Sequence, residues 1–441
     1  MTVAGGFRLE PVDEEMRGSG AMRAVEVRGL GNLGGIVLRG GARRVRELHF
    51  GISGRVFRSV GPVAAPVRVV HDEVAGAVYS VVGTALWAGS RASGTALALR
   101  AREKRPLDGS AAGRVALTVL NGWHGDLLQQ EVEQLALPMT VRVNGRDVRT
   151  KRDAVAAAYP DATGRVAVFL HGLTENEGAW NYKSVQHYGQ PGVTYGSQLR
   201  RDLGYTPVWL RYNTGLRVSV NGRELDRLLD ELVAAWPVPV ADLLLVGHSM
   251  GGLVARSALA QAVDRGADQA GWPWLVRDTV SLGTPHLGAP LEQGAALLTH
   301  ALGLLGETRP IAAVLAARSV GIKDLRHGNL VEADWVGHRP DDLGNHRTHV
   351  PLHPGARHFV VLGTIGGDAD SVVADVLGDL LVRPSSASGD TGDDRRMAFP
   401  DGHILRLAGL HHVDLLNHPR VYQQIRRWLT HRPTTQPAGH E

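Results

Sequence analysis

The chain lacks cysteine, long apolar runs and dense basic clusters, and each absence excludes a class of structure or function. With no cysteine among its 441 residues, it cannot form disulfides, use a thiolate nucleophile or bind zinc through cysteine. No run of about 18 apolar residues occurs, so no membrane-spanning helix is expected. Acidic residues stand near the start of the chain, where a signal peptide needs an apolar segment, which predicts a cytoplasmic location.

The charge of the chain is nearly balanced. Lysine and arginine number 48 against 44 acidic residues, a formal net charge of +4. No Lys/Arg block is interleaved with aromatic residues, so nucleic-acid binding is not expected. Six histidines fall in one polar stretch, but their irregular spacing and lack of paired carboxylates favour solvated loop residues over a metal site; they are His327, His338, His346, His349, His353 and His358. We predict neither a metal nor a cofactor.

One stretch has the pattern of a catalytic turn. Four apolar residues, 243–246, precede Gly-His-Ser-Met-Gly-Gly at 247–252, and an amphipathic run follows. This order predicts a buried strand, a sharp turn and a helix. Gly247 and Gly251 leave room where strand and helix nearly touch, and the turn lifts Ser249 clear of the chain beside a base. Ser249 is the predicted nucleophile; a Gly-rich turn without a catalytic role is the alternative.

A second turn is predicted to supply an oxyanion-binding N–H group. The run RVAVFL at 165–170 is typical of a central parallel strand, and His171-Gly172-Leu173 follows it. Acyl transfer requires two backbone N–H donors, and the carboxyl ends of such strands are where α/β sheets bind ligands. We predict the N–H groups of Leu173 and of Met250, the residue after the nucleophile. An ordinary strand-to-loop glycine is the alternative at Gly172.

The spacing of apolar residues predicts an α/β catalytic domain preceded by a helical extension. Strands at 205–212 and 276–282 alternate with a helix at 221–236, as in a doubly wound sheet. A strand at 135–143 followed by Asn144-Gly145 predicts an edge strand. Earlier, residues up to about Arg44 are predicted to be irregular, and helices are predicted at 47–60 and 67–86.

We therefore divide the chain into a mainly helical extension, residues 1–130, and a catalytic domain, residues 131–441. Three roles remain open for the extension: packing over the active-site side, contact with a partner, and contact with a membrane surface. Two further segments are predicted as loops: the turn-rich patch 121–126, and the polar stretch holding Trp180, Tyr182 and Tyr188, whose rings either line a cleft or anchor the surface.

A third motif makes a family resemblance specific. Residues 282–290 read Leu-Gly-Thr-Pro-His-Leu-Gly-Ala-Pro. With Gly-His-Ser-Met-Gly-Gly and the strand before His-Gly-Leu, this motif resembles the α/β-hydrolase superfamily, and within it the bacterial triacylglycerol lipases and the PGAP1-like (GPI inositol-deacylase-like) serine esterases. The similarity covers about residues 135–432. It implies an α/β-hydrolase fold, a mostly parallel central sheet flanked by helices, with a cap over the pocket formed by an insertion at about 291–356.

The resemblance also implies the remaining catalytic residues, in the order Ser, Asp, His. His412 precedes an apolar residue and Asp414, as the family's base does. Asp379 is the expected acid, although Leu380 stands where the family favours glycine; Asp368, Asp370 and Asp375 remain alternatives. The predicted substrate-binding residues are His171, Gly172, His248, Pro285 and His286. Asp414 matches a calcium ligand of some secreted lipases, but no second ligand is evident in the sequence.

These features predict a serine ester hydrolase that cleaves carboxylic, lipid-like esters through an acyl-enzyme on Ser249, without a cofactor. The expected partner is a small-molecule or lipid ester, and contact with a lipid surface is left open. Two alternatives remain. One is an acyltransferase with the same catalytic residues, and the other is a non-catalytic binding protein of the same fold.

Overall fold

A computed structural model describes residues 24–61, 65–100, 106–266, 271–289, 317–364, 397 and 399–431. Its strands are β1 (Thr140–Val143), β2 (Arg146–Val148), β3 (Arg165–Leu170), β4 (Thr206–Arg211), β5 (Asp242–His248), β6 (Val276–Leu282), β7 (Arg357–Thr364) and β8 (Ile404–Ala408). Its helices are α1 (Ala24–Val60), α2 (Ala65–Arg100), α3 (Ala111–Glu131), α4 (Arg152–Ala158), α5 (Ser184–Tyr188), α6 (Tyr195–Leu203), α7 (Val218–Ala235), α8 (Met250–Asp264), α9 (Trp272–Leu275), α10 (Val320–Asp324) and α11 (Pro419–Thr430).

The strands form one sheet in the order β2-β1-β4-β3-β5-β6-β7-β8. The neighbours from β4 to β8 pair in parallel, whereas β1 pairs with β2 and β4 in antiparallel fashion. The predicted mostly parallel sheet is therefore confirmed, whereas the predicted edge strand is not at the edge, because β1 lies between β4 and the short strand β2. The first strand is shorter than expected, because residues 133–135 form a 3₁₀ turn and the strand begins only at Thr140.

Alternate side chains of the central strands face two apolar layers. Val166, Val168 and Leu170 of β3 pack with α7 and α8, whereas Ala167 and Phe169 pack with α6 and α11. Because both faces are covered, β5 is buried along its whole length. Its carboxyl end is thereby held at a fixed place between two rows of helices.

The helices α1 and α2 form an antiparallel hairpin, so the expected irregular structure before Arg44 is wrong from Ala24 onward. The glycines that favoured irregular structure serve instead for close contact between the helices. A Cβ atom added at Gly31 would lie 2.6 Å from the Cα atom of Gly94, and one at Gly35 would lie 2.9 Å from the carbonyl oxygen of Trp87. In the described part of the chain no helix is long and apolar enough to cross a membrane.

Helix α3 lies against the carboxyl edge of the sheet, and it includes the patch 121–126 that we expected to be a loop. The helix bends at His124, whose φ and ψ are −137° and 24°. A Cβ atom at Gly122 would come within 2.5 Å of Thr174, and one at Gly125 within 1.9 Å of Asn213. These small residues let the helix lie directly on the loops that follow β3 and β4.

Two other segments bear on the earlier expectations. Trp180 neither lines a cleft nor anchors the surface: it is 1% exposed and packs edge-on against Phe169 in the core. In the proposed cap, 291–316 lies outside the described residues. The rest holds α10, a 3₁₀ turn at Glu332–Asp334 and a stretch without regular structure up to β7.

Candidate active site

Ser249 stands in a strained backbone conformation between β5 and α8. Its φ and ψ are 50° and −121°, values that a residue with a side chain rarely adopts. Its N–H donates to the carbonyl oxygen of Leu282 at the end of β6, over 2.8 Å. The predicted strand, sharp turn and helix are therefore present, with the half-buried serine at the apex.

The glycines around Ser249 are required by the close approach of backbones. A Cβ atom at Gly247 would lie 2.4 Å from the amide nitrogen of Gly252, and one at Gly251 would lie 2.3 Å from the carbonyl oxygen of Leu170. Neither contact can be relieved by moving a flexible side chain. The two positions thus accept only glycine, for the steric reason inferred from the sequence.

His412 lies at the same edge of the sheet as Ser249. It begins a 3₁₀ turn, His412–Leu416, after β8, and its residue is 6% exposed. Its ring faces Gly283, because a Cβ atom there would lie 2.9 Å from both Nδ1 and Cε1 of the imidazole. The ring centroids of His412 and His248 are 4.8 Å apart. The fold therefore brings His412 beside His248, the residue that precedes Ser249, although 163 residues of the chain lie between the two histidines.

In the turn 172–175 after β3, one N–H group has no protein partner among the described contacts. The N–H of Gly172 donates to Glu175 Oε2 over 2.6 Å, that of Thr174 donates to Thr214 Oγ1, and that of Glu175 donates to the carbonyl of Gly172. This leaves the N–H of Leu173. The N–H of Met250 is the first of α8, so it has no acceptor within the helix.

Sequence analysis did not single out Glu175, which joins three parts of this site. Its Oε2 atom accepts from the N–H of Gly172 and from Nδ1 of His248, over 3.0 Å. The Nε2 atom of His248 in turn lies 3.2 Å from the carbonyl oxygen of His412. Burial alone would raise the pKa of Glu175, but the charge of His248 and the two hydrogen bonds outweigh it and hold that pKa below its ordinary value.

The five predicted substrate-binding residues are all buried around these loops. His171 stacks on Tyr212 with ring centroids 4.4 Å apart. Its Nε2 atom and that of His286 have no hydrogen-bond partner within the described structure. Burial lowers the pKa of both imidazoles, and for His286 nearby Arg256 lowers it further. Both rings are therefore neutral near pH 7.

The described residues include the possible calcium ligand, Asp414, but not the predicted catalytic acid. Asp379 and its alternatives Asp368, Asp370 and Asp375 lie outside the described residues, so the acid remains a prediction. Asp414 binds Lys183, whose Nζ lies 2.7 Å from Oδ1, and its Oδ2 atom accepts from the N–H of His411. Both carboxylate oxygens thus have protein donors, which does not favour a calcium site there.

Among the six histidines expected to be solvated, two come together. His338 and His346 stack with ring centroids 3.5 Å apart, and Asp342 Oδ2 lies 3.0 Å from His346 Nε2. The ligand atoms of these three residues lie within 4.8 Å of one another, a spacing that a divalent cation tolerates. By contrast, His358 is tied by its two ring nitrogens to Thr279 and to the carbonyl of His353.

Comparison with protein families supports the fold. Residues 161–337, about two fifths of the chain, match the family model described as a PGAP1-like alpha/beta domain. The match includes Ser249 and the loop after β3, and it ends before β7 and His412. No curated protein sequence matches the chain.

Similar folds occur among solved structures, all at low identity. The lin2722 gene product of Listeria innocua is 12% identical, with a TM-score of 0.34, over 62% of this chain and 96% of its own. The esterase Pf2001 of Pyrococcus furiosus is 13% identical, with a TM-score of 0.31, over 60% and 82%. The phospholipase PlaB of Legionella pneumophila is 16% identical, with a TM-score of 0.30, over 51% and 46%. This chain thus has an α/β-hydrolase fold in which residues 161–337 match the PGAP1-like alpha/beta domain.

Proposed function

We propose that this protein is a serine ester hydrolase that uses Ser249 as its nucleophile and His412 as its base. The observation that carries the proposal is the strained backbone of Ser249, with φ at 50°, at the end of a buried strand. Strain at a residue with a side chain persists only where the surrounding structure enforces it, and it concentrates at functional sites. The ring of His412 lies beside Gly283, which follows the neighbouring strand β6, and this position supports His412 as the proposed base.

In the proposed reaction, Ser249 Oγ attacks the ester carbonyl carbon and gives its proton to His412. The oxyanion that forms accepts hydrogen bonds from the N–H groups of Leu173 and Met250. His412 then protonates the departing alcohol as the carbon–oxygen bond breaks, leaving an acyl group on Ser249. Water, deprotonated by His412, then attacks the acyl carbon; as the bond to Ser249 Oγ breaks, His412 returns the proton to Oγ and the carboxylic acid leaves. Asp379 is the proposed residue that orients His412.

We further propose that the acyl group is lipid-like and lies against the buried residues around the site. The neutral imidazoles of His171 and His286 each have a buried Nε2 atom without a partner in the described structure, and such atoms call for an explanation. Hydrogen bonds to the substrate would satisfy them. The segment 291–356 is the proposed cap, which would exclude water from an apolar acyl chain.

A fluorophosphonate probe tests the nucleophile. It should label the folded protein at Ser249 and fail to label Ser249→Ala, whereas Ser257→Ala is the matched control. Ser257 lies on α8, the helix that Ser249 precedes, but its hydroxyl is buried and donates to the carbonyl of Leu330. His412→Ala should lower kcat/KM for a p-nitrophenyl ester by about a thousandfold or more.

Chain-length and acceptor dependence then separate the alternatives. A series of p-nitrophenyl esters should be cleaved better as the acyl chain lengthens if the substrate is lipid-like. A product that appears only when an alcohol or amine acceptor is added would identify an acyltransferase. Folded protein that the probe does not label, or equal labelling of Ser249→Ala, would leave a non-catalytic binding protein and reject the enzyme.

A further inference from the structure

The exposed apolar side chains of this protein concentrate on the hairpin of α1 and α2. Of the 24 large apolar side chains exposed in the described part of the chain, 15 belong to these two helices. Scattered exposed side chains are ordinary on a soluble protein, whereas a concentration on one element marks a surface that binds something. The candidate active site lies elsewhere, so the hairpin needs a separate explanation.

One side of α2 presents a continuous row of valines. We call the valine face the set Val67, Val74, Val78, Val81 and Val82, whose residues are 64%, 58%, 54%, 68% and 44% exposed. Their spacing follows the helical period, so they share one side of the helix. The side that carries Gly83 and Gly94 is buried against α1. From Val74 to Ser90 the sequence contains no charged residue.

The hairpin is also the basic part of the chain. Residues 24–100 contain ten arginines and four acidic residues, a formal charge of +6, whereas the whole chain carries +4. The remainder is therefore slightly acidic, with a formal charge of −2. Arg39 and Arg91 both approach the ring of Trp87, at 5.8 and 4.9 Å from its centroid. Within the described residues neither of them forms an ion pair, so both are available to an anionic partner.

We propose that the hairpin binds the surface of an anionic lipid bilayer through the valine face, while its excess of arginines adds to the attraction. Aliphatic side chains enter the acyl boundary while guanidinium groups, held on apolar stems, reach the phosphate groups. Each arginine near such a surface adds to the attraction. The hairpin lies along the surface rather than crossing it, in keeping with the lack of any membrane-spanning helix among the described residues.

Charge decides between a bilayer and a second copy of this chain. Two hairpins packed face to face would bring together formal charges of +6 each, which repel, whereas a surface of anionic headgroups is complementary to the same charge. The proposal does not depend on the esterase activity. Vesicle binding without ester hydrolysis would support the membrane proposal and contradict the esterase, whereas ester hydrolysis without vesicle binding would do the reverse.

Vesicle sedimentation with the full chain tests the proposal. The protein should bind vesicles made of equal parts phosphatidylcholine and phosphatidylglycerol, and should bind phosphatidylcholine vesicles at least tenfold more weakly. The double variant Val78→Asp/Val81→Asp should lose at least tenfold in affinity for the anionic vesicles. Arg39→Gln/Arg91→Gln should lose about tenfold, and salt at about 1 M should have a similar effect, because it shortens the range of charge interactions to about 3 Å.

Val115→Asp/Val185→Asp is the matched control, since these valines are 57% and 60% exposed but lie outside the hairpin. It should bind anionic vesicles as the unchanged protein does, and all variants should cleave a water-soluble ester equally. Equal binding to both kinds of vesicle, or equal loss in the control, would overturn the proposal. So would a dimer in sedimentation velocity that Val78→Asp/Val81→Asp dissociates, if the protein binds no vesicles, because the valine face would then belong to a second copy.

Discussion

Glu175 and His248 form a largely buried pair that connects the loop after β3 with the turn at Ser249. Both ring nitrogens of His248 lie against acceptors, the carboxylate of Glu175 and the carbonyl of His412. An imidazole that donates from both nitrogens carries a positive charge. The pair therefore joins opposite charges, and it holds Gly172, the residue before the proposed oxyanion donor, through its N–H.

We predict that Glu175→Gln lowers both stability and kcat. The amide oxygen can still accept the two hydrogen bonds that Oε2 accepts, but the negative charge is lost, so the charge on His248 would lose its partner at a cost of about 3 kcal/mol. Glu177→Gln is the control. Glu177 lies two residues further along the chain, is similarly buried, and pairs with Arg142 over 2.9 Å. It should lose stability without a change in kcat for a soluble ester; an equal loss of kcat in both variants would contradict the positioning role.

The pH dependence of this effect has a definite sign. Because the pKa of Glu175 is lower in the folded protein than in the unfolded chain, its ionisation stabilises the fold above its ordinary pKa of about 4.5. This contribution is lost as pH falls through the lowered value. The difference in free energy of unfolding between the unchanged protein and Glu175→Gln should therefore be largest above about pH 5 and shrink in more acidic solution.

The sequence predicts a functional residue when the residues next to it in the chain explain its conformation. The strained turn at Ser249 follows from Gly247 and Gly251, which are two positions away. Glu175 gave no such signal, because its partner His248 is 73 residues distant and a single glutamate in a polar loop is unremarkable. His412 was reached through family resemblance and Asp379 remains a prediction.

At the scale of elements, the α1–α2 hairpin uses some glycines for contact and leaves others open. A Cβ atom at Gly31 would meet the backbone of Gly94 at 2.6 Å, whereas one at Gly41, on the same helix, would have nothing within 4 Å. Glycine inside a helix costs about 1 kcal/mol relative to alanine. At Gly31 the close approach of α2 accounts for that cost.

We predict opposite effects for alanine at these two positions. Gly31→Ala should destabilise the hairpin by about 2 kcal/mol, because the helices must separate. Gly41→Ala should stabilise it by about 0.5–1 kcal/mol, because the unfolded chain loses freedom and no clash arises. Urea unfolding followed by circular dichroism measures both. Stabilisation by Gly31→Ala would mean that the two backbones do not touch.

The same glycines explain where the prediction of elements was wrong. Glycine weakens an isolated helix, so the stretch before Arg44 and the patch 121–126 were predicted without helices. In the folded chain these glycines admit a neighbouring backbone or loop, and the packing outweighs the intrinsic preference. The strands of the sheet were predicted well, because continuous apolar runs such as β3 and β5 have few other uses in a soluble protein.

At the scale of the whole molecule, hydrogen bonds join α3, the last helix of the extension, to segments that border the sheet. The Oγ of Ser319 donates to the carbonyl of Gly122, and the N–H of Val320 donates to Asp126. Asn121 links the helix to the approach to β1: its side chain donates to the carbonyl of Leu135 and accepts from the N–H of Leu137, each over 2.9 Å. We therefore expect α3 and the sheet to unfold together.

Asn121→Ala tests this cooperativity. The substitution leaves buried backbone groups of residues 135 and 137 without partners, and should lower the free energy of unfolding by about 2–4 kcal/mol. Loss of ester hydrolysis and loss of helical signal should coincide on heating, at a lower temperature than in the unchanged protein. The exposed Asn345→Ala should change stability by less than about 0.5 kcal/mol. An early transition that removes helical signal while hydrolysis persists would argue for independent domains.

The position of α3 also sets an order of events during folding. The helix is synthesised early, yet the partner of its Gly122 carbonyl, Ser319, comes 197 residues later, and closing so long a loop is entropically unfavourable until much of the chain has formed. Thr174, beside the proposed oxyanion donor, packs against this same glycine. A nascent chain would therefore carry Ser249 well before the loop next to it is held in place, and activity should be acquired only in the last steps of folding.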